Sequence, residues 1–198
     1  MELYMPKIVN FDEKVDFICE KAYEEFIKNG VNNFSLNKFI ESLNMSKGQF
    51  YYYFKTKEEL IFEVIDKKAQ KIFDDTVKNV AKEKTFYNKL LSLFSFYLGN
   101  CSAEDKLVKD TFYLYLNMKN QYIKQKNDEY YDFIHKIVDE IFNEMIEINY
   151  IKKDSKKFIP SLIATADGMY LQAIILENYD IKKNLMDYID ILDECLKI

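Results

Sequence analysis

Met45-Ser46-Lys47-Gly48-Gln49-Phe50-Tyr51-Tyr52-Tyr53-Phe54-Lys55-Thr56-Lys57-Glu58-Glu59-Leu60 holds two helix starts in close succession. Ser46 to Gln49 fits the S-x-x-Q capping box, in which the hydroxyl and the amide satisfy each other's orphan backbone N–H groups, and Thr56 to Glu59 repeats the device with glutamate. The first box opens a helix that runs to about Phe54. At about 100° per residue, Phe50, Tyr53 and Phe54 share one side of it. Lys47, Gly48, Tyr51 and Tyr52 face outward, with Gln49 at the margin. Upstream, Ser35 can cap a shorter helix through about Leu43 whose apolar side is Leu36, Phe39, Ile40 and Leu43, and Asn44 tolerates the left-handed turn that follows. A helix, a turn and a helix from Ser35 to Phe54 form the arrangement that places a second helix in the DNA major groove while the first crosses the backbone. The outward side chains offer a cation, phenol hydroxyls and an amide to phosphates and base edges. Gly48 would let the duplex approach closely, and the free N–H groups at the helix start would face a phosphate.

The flanks extend the helical pattern. Ile8, Phe11, Val15, Ile18, Ala22 and Phe26 recur at steps of three and four, Asn10 and Glu13 offer a capping box, and Gly30 stands where a C-cap glycine would. After Thr56, the residues Ile61, Ile65, Ala69, Ile72 and Val80 keep helical phase with no breaker until about Lys84. Further helices are expected over Phe86–Gly99, about Glu104–Met118, about Asn127–Asn149, Ser155–Asn178 and Ile181–Leu196. Four Gly and two Pro in 198 residues leave few turns, so the chain is expected to be all-α, with about nine helices. The boundary is placed in the long fourth helix, giving an N-terminal helix-turn-helix domain over 1–60 and a helical domain over 61–198.

Composition narrows the function. The net charge is −5, yet from Leu43 to Lys57 there are three lysines and no acid, a locally basic window in a chain with no arginine. Cys19, Cys101 and Cys195 are odd in number and in no metal-ligand spacing, so they read as reduced and mostly buried. His135 is the only histidine, which leaves no HExxH pattern. No Gly-rich phosphate loop or nucleophile elbow is present. No catalytic residues, no metal and no cofactor are expected, and the chain is not expected to be an enzyme. No apolar run reaches the roughly 18 residues that suggest a membrane span, and the N-terminus lacks the pattern of a signal peptide. A soluble cytoplasmic protein is expected.

Gly30, then Phe34-Ser35-Leu36, leading to the segment Met45 to Leu60, closely resembles the DNA-binding segment of the TetR/AcrR-like family of bacterial transcriptional regulators. The resemblance covers roughly the first third of the chain. There are three departures: Ile40 stands where the family usually has Ala, and Leu43-Asn44 where it has Ala-Gly, a bulkier packing expected to tilt the recognition helix. The resemblance implies that Ser35 and Lys57 hold the DNA backbone, that Ser46, Lys47, Gly48 and Gln49 open the recognition helix, and that Tyr51 and Tyr52 touch phosphate or base. Lys47 and Gln49 are then the expected base readers, since Lys suits guanine and Gln adenine; the other reading of Gln49 is that its amide caps Ser46 and reads nothing.

Beyond the first third the resemblance is one of outline. Ile163 to Leu171 is similar to the family's penultimate helix, which pairs with the last helix and their copies in a four-helix, self-complementary dimer contact. Ala164, Gly168, Ala173, Leu185, Ile189 and Leu192 are the expected interface residues. The resemblance implies a ligand-responsive repressor: a homodimer on double-stranded operator DNA, released by a small-molecule effector. Phe94, Tyr97, Phe112, Tyr113, Tyr115 and Tyr131 are the candidates to line the effector pocket, and ordinary core is their other reading. The rival function is a helical module that keeps the fold but binds a protein partner, and salt dependence of binding separates the two.

Overall fold

The computed structural model describes residues 10–98 and 121–198. Among the described residues lie eight α-helices: α1 (Phe11–Asn29), α2 (Leu36–Ser42), α3 (Lys47–Tyr53), α4 (Lys57–Val80), α5 (Phe86–Leu93), α6 (Gln121–Glu147), α7 (Ile159–Ile175) and α8 (Ile181–Leu196). Two 3₁₀ turns, Phe94–Leu98 and Lys153–Phe158, adjoin α5 and α7. An isolated bridge between Ile151 and Lys197 is the only β pairing among the described residues. The helix expected over about Glu104–Met118 lies outside the described residues.

The chain falls into two compact units that divide inside α4, after Lys68. In the first, local chemistry sets each break. Gly30 takes φ 77°, a value unfavourable for residues with a Cβ, and its N–H donates to the Phe26 carbonyl at 2.8 Å. Asn44 turns the chain at φ 52° between α2 and α3. Asn10 caps α1 by accepting from the Asp12 N–H at 3.3 Å, in place of the expected box with Glu13. Ile18, Phe26, Phe39, Ile40, Phe50 and Leu60 fill the core, so the bulk of Ile40 is accommodated inside the unit, and Leu43 packs against its edge. Ile61 and Val64 are buried in this same core. The boundary expected after residue 60 therefore moves along α4, because cutting there would strip two core side chains from the first unit.

Two contacts tie α4 to α1: the Lys67 ammonium pairs with Asp16 at 2.8 Å, and Lys68 lies 4.1 Å from the Tyr23 ring centroid. The hydrogen bond to Asp16 holds the Lys67 pKa above its usual value. Burial, followed by the nearby Glu63 carboxylate, pushes the Cys19 thiol up to about 12. A thiol that is not ionised is a poor nucleophile. Cys19 should therefore stay unalkylated by iodoacetamide at pH 8 in the native protein and react in denaturant, as read by peptide mass spectrometry; rapid native labelling would contradict its burial. Cys195, expected to be buried, is exposed, and Cys101 lies outside the described residues.

In the second unit α5, α6, α7 and α8 pack on one another. Phe86 and Phe142 meet edge to face at 5.1 Å between centroids. Ile159, Leu162, Ile163 and Ala166 from α7 join Leu185, Ile189, Leu192 and Leu196 from α8 in a single core. By length and composition the run Lys153–Ile175 is apolar enough to cross a membrane. Here it opens as a 3₁₀ turn and packs its inner side into that core.

Candidate nucleic-acid interface

The Ser46 box forms in full: the Gln49 N–H donates to Ser46 Oγ at 3.2 Å and the Ser46 N–H to Gln49 Oε1 at 2.9 Å. This starts α3 abruptly, on a side chain that is itself on the outer face. Phe50 and Phe54 anchor the inner face, with Phe50 edge-on to Phe39 at 6.5 Å. Lys47, Gly48, Gln49, Tyr51 and Tyr52 are exposed. Among the described residues a Cβ on Gly48 would meet only Ser46 Oγ, at 4.0 Å, so none of them demands glycine there. Tyr52 stands 66% exposed, yet its ring is held edge-on by Phe11 and Tyr53, at 5.7 and 5.1 Å. Neither the Tyr51 nor the Tyr52 hydroxyl has a hydrogen-bond partner among the described residues. The outward face thus carries polar groups on braced rings, which lowers the entropy lost when they engage a surface.

The structure changes the expected roles of two residues. Gln49 turns its amide oxygen back to the helix start, so the two-point contact with adenine requires it to leave the box. Lys47, with no partner among the described residues, is left as the base-reading candidate. Lys57, expected on the DNA backbone, is half-buried: its ammonium donates to the Phe34 carbonyl at 2.8 Å and the Val31 carbonyl at 3.4 Å and lies 5.4 Å from the Phe34 ring centroid. It fastens the loop that leads into α2. Lys55 is likewise engaged, donating to the Tyr51 carbonyl at 2.9 Å. The Ser35 hydroxyl makes no capping bond to α2 and remains open, beside exposed Lys38. Lys38 escaped the sequence reading because it lies outside the basic window; its place one turn beyond Ser35 was the available signal.

Replacing Lys57 by Met keeps the stem and leaves two backbone carbonyls short of a donor. The expected loss is about 1–3 kcal/mol of stability, with the salt slope of DNA binding unchanged. A slope reduced by about 0.9 would instead mark a phosphate contact.

In the second unit the structure sorts the remaining expected residues. Leu185 and Ile189 are 0% exposed and Leu192 is 6% exposed, so these three belong to the protomer's own core and are unavailable to a partner. The open side of α8 carries Ile191 instead, 62% exposed. Ala164 is exposed, Gly168 and Ala173 are half-buried, and a Cβ on Gly168 would meet nothing within 4 Å. Phe94, Tyr97 and Tyr131 stand close together: Phe94 stacks on Tyr97 at 5.9 Å, and the Tyr97 and Tyr131 hydroxyls both donate to Asp167, the latter at 3.0 Å. Phe112, Tyr113 and Tyr115 lie outside the described residues. No group of three or more His, Cys, Asp or Glu placed to hold a metal occurs among the described residues.

A short helix-turn-helix with a polar outer face, on an all-helical chain, defines a DNA-binding regulator. Residues 18–64 match the family model described as bacterial regulatory proteins, tetR family. Over 131 residues the chain is 31% identical to the HTH-type transcriptional regulator QacR of Staphylococcus aureus, covering 63% of this chain and 69% of that protein. It is 24% identical to the fatty acid metabolism regulator protein of Bacillus subtilis, over 69% of this chain and 70% of that one. Among solved structures, a TetR-family regulator from Cytophaga hutchinsonii superposes with a TM-score of 0.77 at 18% identity, covering 98% of this chain and 99% of that one. A transcriptional regulator from Saccharomonospora viridis, solved in complex with choline, superposes with a TM-score of 0.73 at 16% identity, covering 92% and 96%. The chain belongs to the TetR family: it is a transcriptional regulator and not an enzyme.

Proposed function

We propose that this regulator is a repressor that acts in the cytoplasm, grips operator DNA as a homodimer through the outer face of α3, and is released when a small molecule binds its second unit. The observation that carries the DNA contact is the free set on that face: the Lys47 ammonium and the Tyr51 and Tyr52 hydroxyls, with Gly48 between them and the Ser35 hydroxyl and Lys38 ahead on α2. Lys47 reads bases, while Ser35, Lys38 and the two tyrosines position the duplex.

Dimerisation uses the outer sides of α7 and α8. Ala164, Gly168, Leu171 and Ile175 form a stripe along α7, and Ile191 adds an exposed apolar side chain on α8. An isologous contact of these helices with their copies covers that surface, and two recognition helices about 34 Å apart meet successive major grooves. The choline held by the Saccharomonospora viridis regulator supports an effector site in this fold. Release follows if the effector binds tighter to the state in which the half-site spacing is wrong, and α4, which contributes to both cores, is the element that would carry the coupling.

The test is binding of the purified protein to the DNA flanking its own gene across a salt series. Affinity should fall steeply with salt, and Lys47→Ala should cost about 1–3 kcal/mol on operator and much less on unrelated DNA. Absence of binding to that DNA and to pooled genomic fragments at low salt would move the assignment to a protein-binding module.

A further inference from the structure

Given the effector site proposed for the second unit, the chemistry of its ligand is set by one carboxylate and the rings around it. Two hydroxyls from elements distant in sequence meet at one carboxylate. Tyr97, in the 3₁₀ turn after α5, donates to Asp167 Oδ1, and Tyr131 of α6 donates to Oδ2 at 3.0 Å. Tyr130 lies 3.4 Å from the Tyr97 oxygen. Aromatic faces surround the group: Tyr170 stacks on Tyr97 at 4.7 Å between centroids, and Phe73 stacks on Tyr130 at 5.2 Å.

Among the described residues the charge here is unbalanced. Burial, then Tyr130 and Asp167 nearby, holds the Tyr97 hydroxyl well above its ordinary pKa, and burial raises Tyr130 likewise, so both stay neutral donors. Among the described residues Asp167 is then the one charged group of the cluster, and no described lysine pairs with it. A carboxylate accepts up to about four hydrogen bonds, and the two tyrosines supply only two. Tyr131 is 41% exposed, so the cluster reaches solvent on its side. A single negative charge set among electron-rich ring faces attracts a cation with an apolar coat, and repels an anion of the same size.

We infer that the Asp167 cluster is the effector-recognition site and that its ligand is an organic cation, an ammonium or similarly charged amine carrying hydrocarbon. The carboxylate supplies the opposite charge, while the Tyr97, Tyr130 and Tyr170 rings cover the hydrocarbon.

Isothermal titration of the full-length protein, without DNA, tests this with three benzyl probes that differ in charge: benzyltrimethylammonium, benzyl alcohol and benzoate. The cation should bind at least about tenfold tighter than the alcohol, equivalent to about 1.4 kcal/mol, and benzoate weakest. Asp167→Asn keeps the size and one acceptor oxygen, for one of the two tyrosines, and removes the charge, so cation affinity should drop at least tenfold. Asp167→Glu, which restores the charge, should recover most of it. Equal binding of cation and alcohol, preference for benzoate, no binding by any probe, or Asp167→Asn binding as tightly as the parent would each overturn the inference. The regulator reading is judged separately by operator binding without ligand: if that holds while the benzyl series shows no preference for the cation, only the ligand class is wrong.

Discussion

Phe50→Ala should abolish operator binding by unfolding the recognition unit. Phe50 is 0% exposed and its ring meets Phe39, Tyr51 and Phe54, so truncation removes a central side chain from a small core. A buried Phe→Ala change costs about 3–5 kcal/mol, a large share of the roughly 5–15 kcal/mol that holds a domain folded. In urea the transition that reports this unit should move to markedly lower denaturant. Tyr52→Phe is the matched control: its ring stays braced and only an exposed hydroxyl is lost, so stability should stay within about 0.5 kcal/mol while operator affinity weakens. A Phe50→Ala protein that still bound operator with parent affinity would mean that α3 does not depend on this core.

Ile189→Ala should lower the stability of the second unit by about 2–5 kcal/mol, by the same amount at high and low protein concentration. The side chain is 0% exposed and belongs, with Leu162 and Ile163 of α7, to the protomer's own core. Ile191→Asp, two residues on and 62% exposed, should have the opposite signature: a protomer of near-parent stability whose self-association is weakened. If Ile189→Ala instead left the protomer's denaturation unchanged and shifted only its association, its place in the core would be wrong.

These two helical positions show where the sequence was readable and where it was not. Periodicity identified Leu185, Ile189 and Leu192 as an apolar stripe, but a stripe looks the same whether it faces its own core or a partner. The starts and stops were legible because they are local: Ser46 with Gln49, Thr56 with Glu59, Gly30 and Asn44 each act within a few residues. The fastening role of Lys57 was not legible because its acceptors, Val31 and Phe34, are more than twenty residues upstream and are backbone atoms that leave no trace in composition. Asp167 was passed over for the same reason. Its partners lie 36 and 70 residues away, and the only local signal is an acid in the apolar run Ile163 to Leu171.

The sharing of α4 bears on how such regulators can be recombined. Leu60, Ile61 and Val64 complete the first core, and Val80, on the same unbroken helix, belongs to the second. A chimera meant to give this chain a new operator preference cannot be spliced at the end of the recognition motif, because the graft would arrive without the side chains that close its own interior. The crossover has to fall past Lys68, inside a helix. There the two parents must agree in helical phase, because inserting or deleting one residue rotates everything downstream by about 100°. Exchange of recognition heads between relatives is therefore expected to succeed only in whole-helix register, a constraint that a flexible linker would not have imposed.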